Sequence, residues 1–120
     1  MELRCLIVDD NASFLEEAAA LLRREGLQVA GVASNAGEAL ERARELRPDV
    51  ALVDISLGPE SGFDLARRLV ESNGHGLNVI LISTRAEADY AELIAEVPVA
   101  GFVAKSELSG SAIRRLVDGG

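Results

Sequence analysis

Tryptophan is absent from the chain, and one tyrosine and three phenylalanines supply all of its aromatic character, 3% of the residues. A core must therefore be built from Ala, Val, Leu and Ile, which the 48% hydrophobic content allows and which suits close helix-on-sheet packing. A single cysteine, Cys5, excludes an internal disulfide; its place in the apolar run from Leu3 to Val8 reads as buried and inert. With His75 as the only histidine, a zinc centre lacks ligands. Positive charge is scarce: 12 basic residues against 20 acidic ones leave a net charge of −8, which argues against direct nucleic-acid binding, because such affinity rests on neutralising phosphates. No apolar run is long enough to cross a membrane and no signal-peptide pattern is present, so a soluble, cytoplasmic protein is expected. At 120 residues, one domain over 1–120 is expected, large enough to bury roughly two-thirds of the unfolded surface.

What the chain does have is a regular alternation. Short apolar runs occur at Cys5–Val8, Val29–Val32, Val50–Val53, Val79–Ile82 and Val99–Val103. The first, third and fourth are continuous and rich in β-branched residues, as expected of strands covered on both faces. Between the runs lie segments of helical period. Phe14, Leu15, Ala18, Leu21 and Leu22 recur three and four residues apart, with a capping box at Ser13–Glu16 and Gly26 to end the helix. Ala36, Ala39, Leu40, Ala43 and Leu46 share a second face that Pro48 stops. A third helix is expected over 62–72, a fourth over 86–96 and a short fifth over 111–117. His75, within Asn73-Gly74-His75-Gly76, reads as a loop residue. The charged group Glu41-Arg42 with Arg44-Glu45 reads as solvated surface, and Tyr90 as either idle or part of a partner surface. Five strands alternating with five helices imply an α/β fold: a doubly wound, mostly parallel sheet with helices on both faces.

In such a sheet chemistry collects at the carboxyl ends of the strands. Asp9 and Asp10 follow the first run, Asp54 the third, Ser83 and Thr84 the fourth, and Lys105 the fifth. Three carboxylates at one edge repel unless a cation or protons intervene, and hard oxygen ligands suit Mg2+. A lysine and a hydroxyl at the same edge add what phosphoryl transfer requires, and a positioned aspartate is a competent acceptor. Each residue also has a plainer reading: Asp9-Asp10 as a turn, Lys105 as solvated surface, Ser83-Thr84 as a helix cap. The coincidence of four strand ends favours the functional one.

These residues resemble the response-regulator receiver domain over essentially the whole chain. The resemblance is carried by Leu6-Ile7-Val8-Asp9-Asp10-Asn11, Val53-Asp54-Ile55, Gly62 eight residues beyond Asp54, Ile80-Leu81-Ile82-Ser83 and Gly101-Phe102-Val103-Ala104-Lys105. It implies a flavodoxin-like (βα)5 fold of strand order 2-1-3-4-5. It further implies that Asp54 takes a phosphoryl group from a histidine kinase. Asp10, Asp54 and the backbone carbonyl of Ser56 would bind Mg2+, with Asp9 acting through water. Ser83 would turn toward the phosphoryl group and Phe102 would follow inward as the switch residue. The face of the fourth helix, fifth strand and fifth helix would then select partners, with homodimerisation on phosphorylation and an effector domain beyond the chain as further expectations.

Some positions depart from the family's usual pattern. Gly58-Pro59 stands where proline commonly comes first, and Thr84 stands where Ala or Gly is usual, which predicts slow transfer from small phosphodonors. Ser106 follows Lys105 in place of proline, as in receivers that precede LuxR-type helix-turn-helix domains, although a stand-alone receiver acting on a protein partner can carry it too. Ser56 and Arg85 occupy the positions that tune phosphoryl lifetime, with Arg85 expected to be solvated. Two other readings compete. A Mg2+-dependent phosphatase would need a second acid two residues after the nucleophile, where Ser56 stands; a phosphorylation-independent pseudo-receiver typically loses an acid or the lysine, and all are present here.

Overall fold

Side chains alternate between the two faces of each central strand, and that alternation builds two separate cores. In the computed structural model, which describes residues 3–72 and 76–119, the strands are β1 (Arg4–Val8), β2 (Gln28–Ala33), β3 (Val50–Asp54), a small pair β4 (Ser56–Leu57) and β5 (Glu60–Ser61), then β6 (Asn78–Ser83) and β7 (Gly101–Ala104). The helices are α1 (Ala12–Arg24), α2 (Ala36–Leu46), α3 (Gly62–Ser72), α4 (Ala91–Ala95) and α5 (Gly110–Gly119). The main sheet is parallel throughout, in the order β2-β1-β3-β6-β7, so β6 and β7 are its fourth and fifth strands. This is the expected α/β flavodoxin-like fold. His75 and Gly120 lie outside the described residues.

Cys5, Ile7, Val50, Leu52, Ile80 and Ile82 point to one face and are covered by α1 and α5 through Leu15, Leu22 and Ile113. Leu6, Val8, Ala51, Val53, Val79 and Leu81 point to the other, against Ala39 and Ala43 of α2 and Leu65 and Leu69 of α3. The period of two along a strand separates the sets. Each fully buried Leu, Ile or Val contributes roughly 1.5–3 kcal/mol, which concentrates stability in β1, β3 and β6. Burial also pushes the Cys5 thiol up to about 11, aided by the negative charge of Asp49 and opposed by Arg114; a thiol so placed is inert.

Several local expectations change. Helix α1 starts at Ala12, capped by Asn11, whose side chain accepts from the Phe14 N–H at 3.0 Å, and not by the box at Ser13. The fourth helix, expected over 86–96, divides into a 3-10 turn at Glu87–Tyr90 and the five-residue α4, with no buried residue in either. Its small apolar residues, Ala88, Ala91 and Ala95, offer too little surface to hold a longer helix on the sheet. The fifth strand begins at Gly101 rather than Val99. Arg42 is not free surface: its Nε donates to the Val32 carbonyl on edge strand β2 at 2.6 Å, occupying an acceptor that an exposed edge would otherwise present. Tyr90 is half-buried, with its ring 6.0 Å from that of Phe63 and inclined at 54°.

Candidate functional site

The carboxyl ends of β1, β3, β6 and β7 meet along one crest, and the sheet register decides which side chains reach it. Val8 pairs with Val53, and Asp54 with Ile82, so the residues after β1 and at the end of β3 and β6 stand level. Asp9 is fully buried, Asp54 and Ser83 nearly so, and Asp10 is exposed. Ligand atoms of Asp9, Asp10 and Asp54 all lie within 4.8 Å of one another. Lys105, the only lysine of the chain, reaches in from the end of β7. Its ammonium lies 2.5 Å from Asp9 Oδ2 and 3.5 Å from Asp54 Oδ2.

One ammonium faces three carboxylates, and the imbalance is visible in Asp54. Its carboxyl is pushed up to about 6, first by burial and then by the neighbouring Asp9 charge, against the opposing pull of the Ser56 N–H and of Lys105. Asp9 Oδ1 accepts the Asn11 N–H at 2.9 Å. Asp9 Oδ2 touches the ammonium but lacks any hydrogen-bond partner among the described residues. That one ammonium offsets only part of the negative charge gathered by Asp9, Asp10 and Asp54, and the donor set they offer is all hard oxygen. Those residues fit a hydrated divalent cation of the Mg2+ type.

Two glycines shape the approach to the acceptor. A Cβ on Gly62 would lie 2.0 Å from the Asp54 carbonyl oxygen, so α3 packs against the end of β3 only because that residue has no side chain. Gly58 turns with φ +60, and a Cβ there would stand 3.3 Å from Asp10 Oδ2. The turn joins β4 to β5 as a hairpin, with Ser56 opposite Ser61 and Leu57 opposite Glu60. Through this hairpin the Ser56 N–H donates to Asp54 Oδ1 at 3.2 Å.

Asp9, Asp10, Asp54 and Lys105 are thus brought together. Ser83 stands at the same crest, where its Oγ accepts the Arg85 N–H at 3.0 Å and caps no helix. Thr84 and Arg85 are exposed beyond β6 and, with Phe102, line a cleft of about 350 Å³ rather than the carboxylate cluster. Phe102 is half-buried on β7. Phe14 was read from the sequence as a core position only, yet Lys105 Nζ rests over its ring, 4.3 Å from the centroid. The available signal was its position four residues after Asp10, in the first turn of the helix that leaves the site.

The sequence profile of the response regulator receiver domain matches residues 5–117. The response regulator GacA of Pseudomonas viridiflava is 31% identical over 86% of this chain, which covers 48% of that protein. The DNA-binding response regulator MtrA of Mycobacterium tuberculosis is 36% identical over 78% of this chain and 39% of its own length. The chain thus spans about half, or less, of the curated relatives it matches. A two-component response regulator of the LuxR family from Aurantimonas sp. superposes with a TM-score of 0.85 at 26% identity, covering 99% of this chain and 87% of that one. The chain therefore belongs to the response regulator receiver domain family, the signalling modules of two-component systems.

Proposed function

We propose that Asp54 accepts a phosphoryl group from the phosphohistidine of a histidine kinase, and that the change is read by an effector outside this chain. The observation that carries this reading is the buried Asp54 carboxylate within 4.8 Å of Asp9 and Asp10 and facing the ammonium of Lys105. Asp54 acts in its ionised form. One of its oxygens forms a bond to phosphorus while the P–N bond of the donor breaks, its electron pair leaving on the imidazole nitrogen, which takes up a proton. Asp10, Asp54 and the Ser56 carbonyl would hold Mg2+, with Asp9 acting through water; when bound, the cation would neutralise charge on the carboxylates and on the phosphoryl oxygens. Lys105 turns from Asp9 to pair with one phosphoryl oxygen. Ser83 gives up the Arg85 N–H and donates its hydroxyl proton to another, and Phe102 follows inward. The new dianion thereby biases the α4–β7–α5 face. The domain acts as a signalling switch whose chemistry is confined to its own aspartate. The half-length match to DNA-binding relatives supports a transcriptional output, with a LuxR-type effector and dimerisation on phosphorylation as its specific form.

Intact-mass analysis after incubation with acetyl phosphate and Mg2+ tests the reading. One added phosphoryl group, lost in Asp54→Asn and without Mg2+, is the expected result. No modification, or modification that persists in Asp54→Asn, overturns it and favours a phosphorylation-independent module. In the same assay Thr84→Ala is expected to speed transfer; unchanged rates remove Thr84 from the account.

A further inference from the structure

Glu60 is an exposed acid on the small β4–β5 hairpin, outside the carboxylate cluster, and the proposed chemistry does not use it. Its side chain nevertheless reaches a different element. Oε1 accepts the backbone N–H of Ala36 at 2.9 Å, the first residue of α2, 24 positions away in sequence. That N–H is one of the unsatisfied donors of a helix start, and the helix dipole favours an anion there. The helix already has its local cap in Asn35, whose Oδ1 accepts the Glu38 N–H at 2.9 Å. Glu60 therefore adds a tie between elements to a helix start that is capped without it.

The other end of the tie is the metal-facing loop. Glu60 lies opposite Leu57 across the hairpin, and Ser61 lies opposite Ser56. Leu57 and Ala36 are both buried in the same apolar cluster. Gly58 turns beside Asp10, where an added Cβ would stand 3.3 Å from Oδ2, and Ser56 donates to Asp54 Oδ1. The strand pair has only two residues on each side, too few to hold its own geometry in water. Anchoring Glu60 on α2 fixes one strand of the hairpin, and the pairing passes that constraint to Ser56 and Gly58.

We propose that Glu60 is a positioning residue for the cation site, holding the Ser56–Ser61 hairpin against Asp10 and Asp54 by its bond to the start of α2. The inference rests on the reading of the carboxylate cluster as a Mg2+ site. By this tie α2 becomes an element that sets the site's rigidity. Glu60→Ala releases the hairpin, whereas Glu60→Gln keeps an acceptor oxygen and the tie. Asn35→Ala removes the local cap of α2 and leaves the hairpin bond, so it controls for simple loss of helix stability.

Mg2+ titrations of the full chain, followed by the amide resonances of Asp10 and Ser56, provide the main readout, with amide hydrogen exchange at Leu57 and Ser61 in the absence of Mg2+ as the second. In Glu60→Ala, Mg2+ binding is expected to weaken about threefold to tenfold, at the lower end of the effect of residues that orient metal ligands, and exchange at Leu57 and Ser61 to accelerate. Glu60→Gln is expected to restore both. Asn35→Ala is expected to lower the melting temperature at least as much while leaving Mg2+ affinity unchanged. Equal affinity in Glu60→Ala and wild type, or equal weakening in Asn35→Ala, overturns the positioning role. A wild-type chain that binds no Mg2+ instead overturns the assignment of the cluster, and the two failures are distinct.

Discussion

The two flanks of the crest are built differently. On one, β1 and β3 are buried along their length past their carboxyl ends, from Cys5 to Asp9 and from Val50 to Ile55. On the other, from Thr84 to Glu96, no residue is fully buried, and only Tyr90 and Ile94 are partly so. The carboxylates stand on the first flank, and Ser83 marks the boundary with the second. Local opening costs least where few apolar contacts are made. A domain that must hold a cation and an acceptor at fixed spacing, yet change shape when the acceptor is modified, needs both kinds of flank. Here the sheet supplies the first, and the weakly packed path through the 3-10 turn and α4 supplies the second.

The largest test of this contrast is at Gly62. Placing a Cβ 2.0 Å from the Asp54 carbonyl oxygen forces backbone to move, so Gly62→Ala is expected to destabilise by about 3 kcal/mol, the upper part of the overpacking range. Urea unfolding measures it, and a loss under about 1 kcal/mol would mean that the rigid flank yields.

Next is Asp54→Asn. The folded-state carboxyl is raised to about 6 from its ordinary 3.8, so the folded protein favours the protonated form. That contribution is fully present below about pH 4 and is lost as pH rises through about 6. Without Mg2+ at neutral pH, Asp54→Asn is therefore expected to be more stable than wild type by about 1–3 kcal/mol. The gain should fade as pH falls from 6 to 4, and saturating Mg2+ should reduce it. Thermal unfolding across that window checks the sign; a constant difference would place the effect elsewhere.

Phe14→Leu keeps an apolar side chain under Lys105 and removes the ring face. A partly desolvated cation–π contact contributes about 1 kcal/mol, so phosphorylation by acetyl phosphate is expected to slow roughly fivefold if that energy serves the site, with Phe14→Tyr close to wild type. Equal rates for Phe14→Leu confine the ring to packing. The smallest effect belongs to the loose flank: Leu93 is 49% exposed, and Leu93→Ala is expected to change stability by less than about 0.5 kcal/mol. A larger loss by urea unfolding would show that α4 is anchored after all.

Much of this contrast is legible in the sequence. Cys5–Val8, Val50–Val53 and Val79–Ile82 mark the central strands because a parallel sheet covered on both faces leaves no polar side to interrupt them. Asp9, Asp10, Asp54 and Lys105 come to one crest because strand ends in this topology must. The break in the fourth helix is less legible, since apolar spacing from Ala86 to Glu96 says nothing of how little area alanines bury. The start of α1 is ambiguous for a different reason: Asn11 and Ser13 are both good caps two residues apart, and tertiary placement chooses. The β4–β5 hairpin leaves no pattern because two-residue strands have no period. The contacts of Lys105 with Phe14 and of Glu60 with Ala36 join residues 91 and 24 positions apart and require the folded sheet to be known.

The tilted pair of Phe63 and Tyr90 joins the two flanks, one ring on the helix that starts beside Asp54 and the other on the 3-10 turn. Because the chain has one tyrosine and no tryptophan, Tyr90 is its dominant ultraviolet fluorophore. Unlabelled protein therefore carries an optical reporter at the seam: its emission and anisotropy follow displacement of the loose flank, and stopped-flow mixing with a phosphodonor can time that displacement against the chemistry at Asp54.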